Sequence, residues 1–393
     1  MKLAILNVKY SPNLGDAVIA DCLEDHLRKE ISNLTVFSLD IGGRSGYGVG
    51  GSLAGGGLGL MGYLKKMPHV VQTLVPWLVK RRYAADWKTR LAGCHGLIIG
   101  GGHLMMDVDQ FFPLRLLTAV RQCPRGTPLF VQSVGVSAKM TARGLRLFKA
   151  IFTHGCLRMA SVRDAGAQAN WLKHFGGAQP LLHRDPGLLA ATTYGKAKKT
   201  HRARPLVAFG VAAPASLSPH ADSREGVVCG DLSFYLETLP LLAKQYDILL
   251  FTNGEDDAFL RQLEAELPTL PVKVRARIRV APRPLKPAQL VALIRTADAM
   301  VGHRLHANIV AYSYRVPHIG LGWDDKLKSF FKSIDRPDFI ITGNAGAPRK
   351  VAALVARALA EGIDTKTHTK VLEEARQGIR TLAAAIRQHA KRK

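Results

Sequence analysis

Short apolar runs alternate with longer amphipathic stretches along most of the chain. The apolar runs predict strands, and stretches with apolar residues at helical spacing predict helices between them. A repeated strand–helix order predicts an α/β fold whose parallel sheets are covered by helices on both faces. The predicted strands are Lys2–Val8, Leu34–Leu39, Gly96–Ile99, Pro128–Gln132, Met159–Val162, Leu206–Gly210, Asp247–Thr252, Arg277–Val280, Ala299–Val301 and His318–Leu321.

A polar, cationic stretch without periodicity, Tyr194–Arg204, predicts a connection between two domains. We predict domains at 1–193 and 205–345, followed by C-terminal helices at 346–393. The sequence leaves open whether the last helix packs on the domains or projects. The predicted helices are Asp16–Lys29, Phe111–Gln122, Ala142–Phe152, Ala165–Phe175, Asp231–Tyr246, Asp256–Leu267, Pro287–Thr296, Leu305–Tyr314, Lys326–Lys332, Lys350–Ala360 and Thr369–Lys391.

The formal net charge of +25 indicates a preference for anionic partners, such as an acidic substrate, an anionic lipid surface or nucleic acid. Aromatic residues make up only 7% of the chain and no recognised nucleic-acid-binding motif is present, so we expect no specific nucleic-acid partner.

No window reaches the roughly 18 unbroken apolar residues of a membrane span. Five cysteines without a CxxC pair favour a reducing cytoplasm, and no His, Asp or Glu cluster has metal-ligand spacing, so no metal is expected.

The segment Gly42–Gly62 contains 11 glycines. Because glycine loses the most backbone entropy on ordering, a mobile loop is one interpretation of this segment. A loop that closes over a bound substrate is the other, because glycines also permit such a motion.

The most informative stretch lies near the end of the second predicted domain, where a short strand ends at Gly302 and a helix begins at once. In an open parallel sheet this places His303, Arg304 and His306 at the carboxyl edge, where such folds bind ligands. The helix amino terminus and the Arg304 guanidinium both favour a carboxylate or phosphate, and His306 titrates near neutrality and can transfer a proton. The alternative is that Arg304 and His306 cap backbone carbonyls or pair with acidic residues.

Three further motifs follow predicted strands and precede predicted helices. Asn13-Leu14-Gly15-Asp16 follows the first strand, and its aspartate either faces a ligand or caps the helix. Gly100-Gly101-Gly102-His103 offers backbone that a ligand can approach closely. In Ser161-Val162-Arg163-Asp164 the arginine either binds an anion or pairs with Asp164 or another acid. Asp185 is expected to be a turn residue.

These motifs, in this order, resemble those of the polysaccharide pyruvyltransferase family. They comprise an early Asn-x-Gly-Asp, a central Gly-Gly-Gly, Ser-Val-Arg-Asp, a following Asp-Pro, and Arg-Leu-His succeeded by Val-Pro and a loop lysine, here Lys326. The resemblance covers about residues 3–330. Its specificity comes from the ordered set, in which Arg304-Leu305-His306 is the strongest member.

The resemblance implies a GT-B-like fold, in which two Rossmann-like domains face a cleft, with the acceptor bound by domain 1–193 and the donor by domain 205–345. It implies transfer of the enolpyruvyl unit of phosphoenolpyruvate to a glycan or lipid-linked saccharide as a pyruvate ketal, without a cofactor. The family's phosphoenolpyruvate-binding arginine and histidine fall on Arg304 and His306, with Arg163 as a second anion contact.

Candidate roles follow for the remaining motif residues. His306 is the candidate acid, and Asp16 or His103 is the candidate base that deprotonates the acceptor. Catalysis is thus assigned to His306, Arg304 and Asp16, and substrate binding to Arg163, His303, Lys326, Asn13, Gly101, Gly102 and His103.

The chain departs from the family pattern at the Gly42–Gly62 insertion and at Gly320-Leu321-Gly322-Trp323-Asp324-Asp325-Lys326, where an aromatic residue close to the lysine is more usual. Both departures concern the acceptor more than the donor.

Two other functions stay open. One is a GT-B glycosyltransferase that uses a nucleotide sugar, because a diphosphate would suit the same cations. The other is a non-catalytic nucleic-acid or membrane-surface binder, suggested by the net charge and the basic tail Arg387–Lys393. The expected location is cytoplasmic, with peripheral contact to an anionic inner membrane face.

Overall fold

The computed structural model describes residues 1–48, 83–107, 111–197, 202–217 and 230–390. Most of the glycine-rich segment Gly42–Gly62, and the last residues of the basic tail, therefore lie outside the described residues.

The chain forms two compact units. The first consists of Met1–Ser11, Ile19–Pro186 and Arg376–Lys393, and the second of Pro12–Val18 and Gly187–Ala375. The second unit therefore includes the short segment that carries Asn13-Leu14-Gly15-Asp16. The domain boundaries 1–193, 205–345 and 346–393 stay a prediction.

Six parallel strands form the sheet of the first unit: β1 (Lys2–Asn7), β2 (Thr35–Asp40), β3 (Gly96–Gly100), β4 (Leu129–Val134), β5 (Leu157–Val162) and β6 (Leu181–Leu182). Their spatial order is β2-β1-β3-β4-β5-β6. The chain therefore passes from β2 back across β1 to β3, and the carboxyl ends of β1 and β3 meet at the point where a doubly wound sheet binds ligands. β3 and β4 are buried along their whole length, as central strands of a parallel sheet are.

Six further parallel strands form the sheet of the second unit: β7 (Leu206–Gly210), β8 (Asp247–Phe251), β9 (Ile278–Val280), β10 (Ala299–Gly302), β11 (His318–Leu321) and β12 (Ile340–Ile341). The spatial order is β12-β11-β10-β7-β8-β9. This is the Rossmann order, and its switch point lies between β7 and β10.

Helices connect the strands in both units, and residues 83–91 are also helical. In the described part of the chain, no helix has the length and apolar composition that a bilayer span requires. The helices are α1 (Leu14–Glu30), α2 (Phe111–Val120), α3 (Ala142–His154), α4 (Ala165–Phe175), α5 (Ala190–Thr193), α6 (Pro214–Leu217), α7 (Leu232–Ala243), α8 (Asp257–Glu266), α9 (Val272–Arg275), α10 (Pro287–Arg295), α11 (Leu305–Ser313), α12 (Asp325–Ser333), α13 (Ala347–Glu361) and α14 (Thr365–Ala390), with short 3₁₀ turns at Pro186–Leu189, Leu267–Thr269 and Pro337–Phe339.

The α/β fold with parallel sheets predicted from the hydrophobic pattern is confirmed. Every predicted strand is present, with ends within two residues of the prediction. β6 and β12 were not predicted, because each is a two-residue strand at the edge of its sheet and is too short to give a periodic pattern.

The end of α14 packs on the first unit. Ile379, Leu382 and Ile386 are buried, and Arg387 Nη1 donates a hydrogen bond of 2.6 Å to the carbonyl of Glu30. The sequence left open whether this helix packs or projects, and its spacing of apolar residues is explained by packing.

The turn after β3 requires glycine for two separate reasons. Gly101 and Gly102 have φ values of +74° and +84°, in the left-handed region that side chains with a Cβ disfavour. A Cβ on Gly101 would also lie 2.4 Å from Cγ2 of Ile19. The Gly101 amide donates a 3.2 Å hydrogen bond to the carbonyl of Gln132, which ties the turn to β4.

We expect Gly101→Ala to lower the free energy of unfolding by about 3 kcal/mol, because a strained φ and a steric overlap with Ile19 add together. Gly93→Ala is the matched control, since Gly93 has a φ of +69° but no described residue beyond its chain neighbours lies within 4 Å of its Cβ position. The control should cost about 1 kcal/mol. Urea unfolding followed by circular dichroism measures both, and equal losses would contradict the steric part of the argument.

Candidate functional site

The turn between β10 and α11 lies at the switch point of the second sheet. β10 ends at Gly302, and Arg304 is the N-cap residue of α11, with extended backbone (φ −74°, ψ 120°) and no capping hydrogen bond from its side chain. The partial positive charge of the helix amino terminus therefore lies beside the Arg304 guanidinium.

The Arg304 side chain is buried and pairs with acidic residues. Its Nη2 lies 2.6 Å from Asp256 Oδ2 and 2.6 Å from Glu255 Oε1, and donates a 2.8 Å hydrogen bond to Ser216 Oγ. Its Nε is buried and has no hydrogen-bond partner among the described residues. The sequence left open whether Arg304 binds an anion or pairs with acids, and here one guanidinium faces two carboxylates.

The two carboxylates are held differently. Asp256 is buried, and its Oδ1 accepts hydrogen bonds from the Ala213 amide (3.2 Å) and from Ser216 Oγ (2.6 Å) in addition to the contact with Arg304. The Glu255 side chain is 29% exposed. Burial raises the pKa of Glu255, Arg304 opposes that rise, and Asp256 adds to it. Glu255 is therefore the more exposed and less firmly held of the two carboxylates.

His306 lies in the first turn of α11 and meets the segment Pro12–Val18 within the second unit. Its Nδ1 is 3.7 Å from Asp16 Oδ1. A Cβ on Gly15 would lie 2.5 Å from the Cβ of His306, so only glycine permits this approach. α1 begins at Leu14, which places Asp16 inside the first turn and not at the N-cap.

Backbone contacts fix the same segment against the turn after β8. The Leu14 amide donates a 2.9 Å hydrogen bond to the Asn253 carbonyl, and Asn253 Nδ2 donates to Asn13 Oδ1 at 3.4 Å, across 240 positions of sequence. Gly254 has a φ of +107°, and a Cβ there would lie 2.6 Å from the Pro12 carbonyl. The Asn-x-Gly-Asp motif and the Arg-Leu-His motif therefore belong to one cluster.

His303 is fully buried, so its side chain supports the turn from the inside. Its ring centroid lies 6.4 Å from that of Phe234, and a Cβ on Gly230 would lie 2.8 Å from its Cε1.

Lys326 lies in the first turn of α12, with its Nζ 3.6 Å from Asp324 Oδ2. Trp323 Nε1 donates a 2.6 Å hydrogen bond to the carbonyl of His303. This bond ties the loop that carries Lys326 to the turn that carries Arg304.

In the first unit, His103 and Arg163 meet around Gly135. His103 Nε2 lies 2.8 Å from Ser137 Oγ. A Cβ on Gly135 would lie 2.4 Å from His103 Nδ1 and 3.0 Å from Arg163 Nη2. The turns after β3, β4 and β5 therefore contribute one cluster at the carboxyl edge of the first sheet.

The side chain of Arg163 is buried and, like that of Arg304, lies between two acids. Its Nε is 3.5 Å from Asp164 Oδ2, and its Nη1 is 3.8 Å from Asp185 Oδ2. Asp164 also caps α4 by accepting a 2.8 Å hydrogen bond from the Ala167 amide. Asp185, expected to be a turn residue, is a buried ion-pair partner of Arg163.

Sequence reasoning missed Ser216, Glu255 and Asp256. Glu255 and Asp256 do carry the signal that selected the other motifs, because they follow β8 and precede α8. Among the described residues, no group of three or more His, Cys, Asp or Glu side chains is placed to hold a metal ion.

We expect Asp256→Asn and Glu255→Gln to change stability in opposite directions. Asp256→Asn breaks a buried ion pair and should lower the free energy of unfolding by about 3 kcal/mol. Glu255→Gln removes an acid whose pKa rises on folding, so the ionised form is penalised in the folded state and the variant should be more stable at pH 7.

This gain should shrink as the pH falls toward about 4, where the glutamic acid becomes protonated in both states. Urea unfolding at both pH values measures the two effects. A Glu255→Gln variant that is less stable at pH 7 would show that its ion pair outweighs its burial.

The family model of polysaccharide pyruvyl transferases matches residues 13–325. No curated protein sequence matches the chain. Three solved structures are similar in fold. A Listeria monocytogenes protein assigned as a UDP-N-acetylglucosamine 2-epimerase is 11% identical, with 100% of this chain and 97% of that chain covered and a TM-score of 0.56. S. aureus MnaA in a co-structure with UDP is 9% identical (96% of this chain and 91% of that chain covered, TM-score 0.55), and a UDP-forming α,α-trehalose-phosphate synthase from Burkholderia xenovorans is 13% identical (99% of each chain covered, TM-score 0.53).

At these identities the structural likeness shows the fold alone, which is that of GT-B proteins with two Rossmann-like units. The family match extends from Asn13 to Asp325 and so includes both motifs that meet at His306. The chain belongs to the polysaccharide pyruvyl transferase family.

Proposed function

We propose that the chain transfers the pyruvyl unit of phosphoenolpyruvate to two hydroxyl groups of a glycan or lipid-linked saccharide, forming a pyruvate ketal and inorganic phosphate. Family membership supports a transferase that acts on polysaccharide. The observation that carries the proposal is the pairing of His306 with Asp16. His306 Nδ1 lies 3.7 Å from Asp16 Oδ1, and His306 follows Arg304 by two positions in the chain.

In this proposal Arg304 binds the donor, and Glu255 competes with the donor for it. Asp256 anchors the guanidinium, because it is buried and receives further hydrogen bonds from Ala213 and Ser216. Glu255 is more exposed and has a raised pKa, so its exchange for a substrate carboxylate or phosphate costs less. The Nε–H of Arg304 offers one more donor.

Phosphoenolpyruvate carries a carboxylate and a phosphate, so its site needs more than one source of positive charge. The amino terminus of α11 supplies one beside Arg304. Lys326 is our candidate for another, because the hydrogen bond from Trp323 to the His303 carbonyl holds its loop against the same turn.

The proposed chemistry begins with a proton transfer from His306 to the methylene carbon of phosphoenolpyruvate, which makes C2 electrophilic. A sugar hydroxyl then attacks C2 as its proton passes to Asp16. The second hydroxyl displaces phosphate from C2, and its proton leaves with the phosphate. The proton on Asp16 then returns to His306, either through one water or after the two side chains close the 3.7 Å between Asp16 Oδ1 and His306 Nδ1.

The acceptor side stays a prediction. This includes His103 as an alternative base. Substrate contacts from Asn13, Gly101, Gly102 and His303, and Arg163 as a second contact to the donor anion, are predictions as well. A cytoplasmic location is likewise a prediction. The net charge of +25 supports peripheral contact with an anionic membrane, which flotation with anionic liposomes measures.

Calorimetry should show heat on titration with phosphoenolpyruvate and none with a nucleotide sugar. Arg304→Ala should abolish the heat, and Arg304→Lys should weaken binding by about tenfold or more, because lysine keeps the charge but not the planar fork. Arg261→Ala, which removes an exposed arginine on α8, is the control and should bind normally. Heat from a UDP-sugar alone would instead indicate a nucleotide-sugar glycosyltransferase.

His306→Gln should lower kcat by about 10²- to 10⁴-fold while phosphoenolpyruvate binding is retained, because only the proton donor is lost. Gly15→Ala should also act mainly on kcat, since its Cβ would displace the imidazole from Asp16. Phosphate release with a panel of glycans, followed by mass spectrometry of the ketal, measures both. Unchanged kcat in His306→Gln would remove this residue from the proposed chemistry.

A further inference from the structure

A cavity of about 340 Å³ lies at the other end of α11 from Arg304, within the second unit. Tyr312, in the last turn of α11, lines it, whereas Arg304 precedes the first turn, so the two places are about 12 Å apart along the helix. The wall includes Arg336, Phe339, Arg357, Glu361 and Ile363.

Arg336 is 8% exposed and is held in one orientation. Its Nη1 donates a 2.7 Å hydrogen bond to the Gly362 carbonyl, and its Cζ stacks 3.8 Å from the centroid of the Phe339 ring. Its Nε and Nη2 are buried and have no hydrogen-bond partner among the described residues. These two atoms form the edge of a guanidinium that binds a planar oxyanion through two parallel hydrogen bonds.

The unsatisfied edge carries a full charge. Burial lowers the pKa of Arg336 to about 10, so the guanidinium stays protonated at neutral pH. Buried charged donors are rarely left without an acceptor, because the desolvation of each N–H is then uncompensated. A structural role alone would be met by the bond to Gly362 and the stacking on Phe339, and does not account for the Nε–Nη2 edge.

The charges around the cavity restrict what it can hold. Four exposed carboxylates line its rim: Asp335, Asp338, Glu361 and Asp364. Glu361 is engaged by Arg357, whose Nε lies 2.6 Å from Glu361 Oε1, and Asp364 Oδ1 accepts a 2.7 Å hydrogen bond from the Thr367 amide. An acidic rim around one buried cation disfavours a multiply charged anion and admits a single negative charge.

We propose that this cavity binds a small monocarboxylate, whose carboxylate pairs with the Nε–Nη2 edge of Arg336 and whose organic part packs against Phe339 and Ile363. The site is separate from the proposed donor site and does not depend on the proposed function. Its volume suits a small organic acid.

Benzoate is the probe, benzamide its uncharged counterpart, and inorganic phosphate the multiply charged competitor. Benzoate should raise the thermal unfolding midpoint of the full chain and bind in calorimetry, and the other two should do neither. An equal response to benzamide would overturn recognition by charge. An equal or larger response to phosphate would overturn the choice of a monoanion.

Arg336→Lys should weaken benzoate binding by about tenfold or more, because lysine lacks the fork. Arg357→Lys is the matched control: Arg357 lines the same cavity and lies 4.9 Å from the same ring, but is already paired with Glu361. Arg304→Lys should also leave binding unchanged. Loss of binding in Arg304→Lys and not in Arg336→Lys would assign the carboxylate to the donor site and overturn the proposal.

Crystals of the unmutated protein soaked with 4-bromobenzoate give a measurement that does not require a variant to fold. An anomalous bromine peak in the cavity beside Arg336 would support the proposal. A peak only beside Arg304, or none in the cavity, would overturn it.

Discussion

The ion pair between Arg304 and Asp256 determines how the site of the second unit is built. A guanidinium buried without a carboxylate is costly, so Arg304 can lie at the switch point only where an acid is fixed opposite it. The neighbouring order β10-β7-β8 supplies that partner, because Arg304 follows β10, Ser216 follows β7 and Asp256 follows β8. Three adjacent strand ends are thereby joined by one charged group.

The hydrophobic pattern predicts the elements well because each central strand is buried on both faces and each helix on one, and burial leaves a period in the sequence. It also predicts that Arg304 and His306 lie at the carboxyl edge of a sheet, because that follows from a strand that ends where a helix begins. The acidic partners of Arg304 cannot be predicted from the hydrophobic pattern in this way. Asp256 meets Arg304 because β8 lies beside β7, and the lateral order of strands leaves no period in the sequence.

Gly15 and Gly101 show which requirement for glycine the sequence can predict and which it cannot. Gly101 is required by its own backbone, with a φ of +74°, and a Gly-Gly-Gly turn after a strand makes such a conformation predictable. Gly15 is required by a side chain 291 positions later in the chain, since His306 occupies the place of its Cβ. A glycine in Asn-x-Gly-Asp therefore indicates a close approach, but the sequence does not say what approaches.

Three arginines with buried side chains differ in how their charge is compensated. Arg304 lies between Glu255 and Asp256, and Arg163 between Asp164 and Asp185, so each has a fixed acid and is neutralised without a ligand. For such a residue an incoming anion must replace a carboxylate, and affinity depends on how weakly that carboxylate is held. Arg336 has a carbonyl and an aromatic ring but no contacting carboxylate among the described residues, so an anion that reaches it does not have to displace a carboxylate from it. In a chain with a net charge of +25, these three guanidinium groups therefore differ in what an anion would have to displace, and the difference is set by the acids that the fold places around each of them.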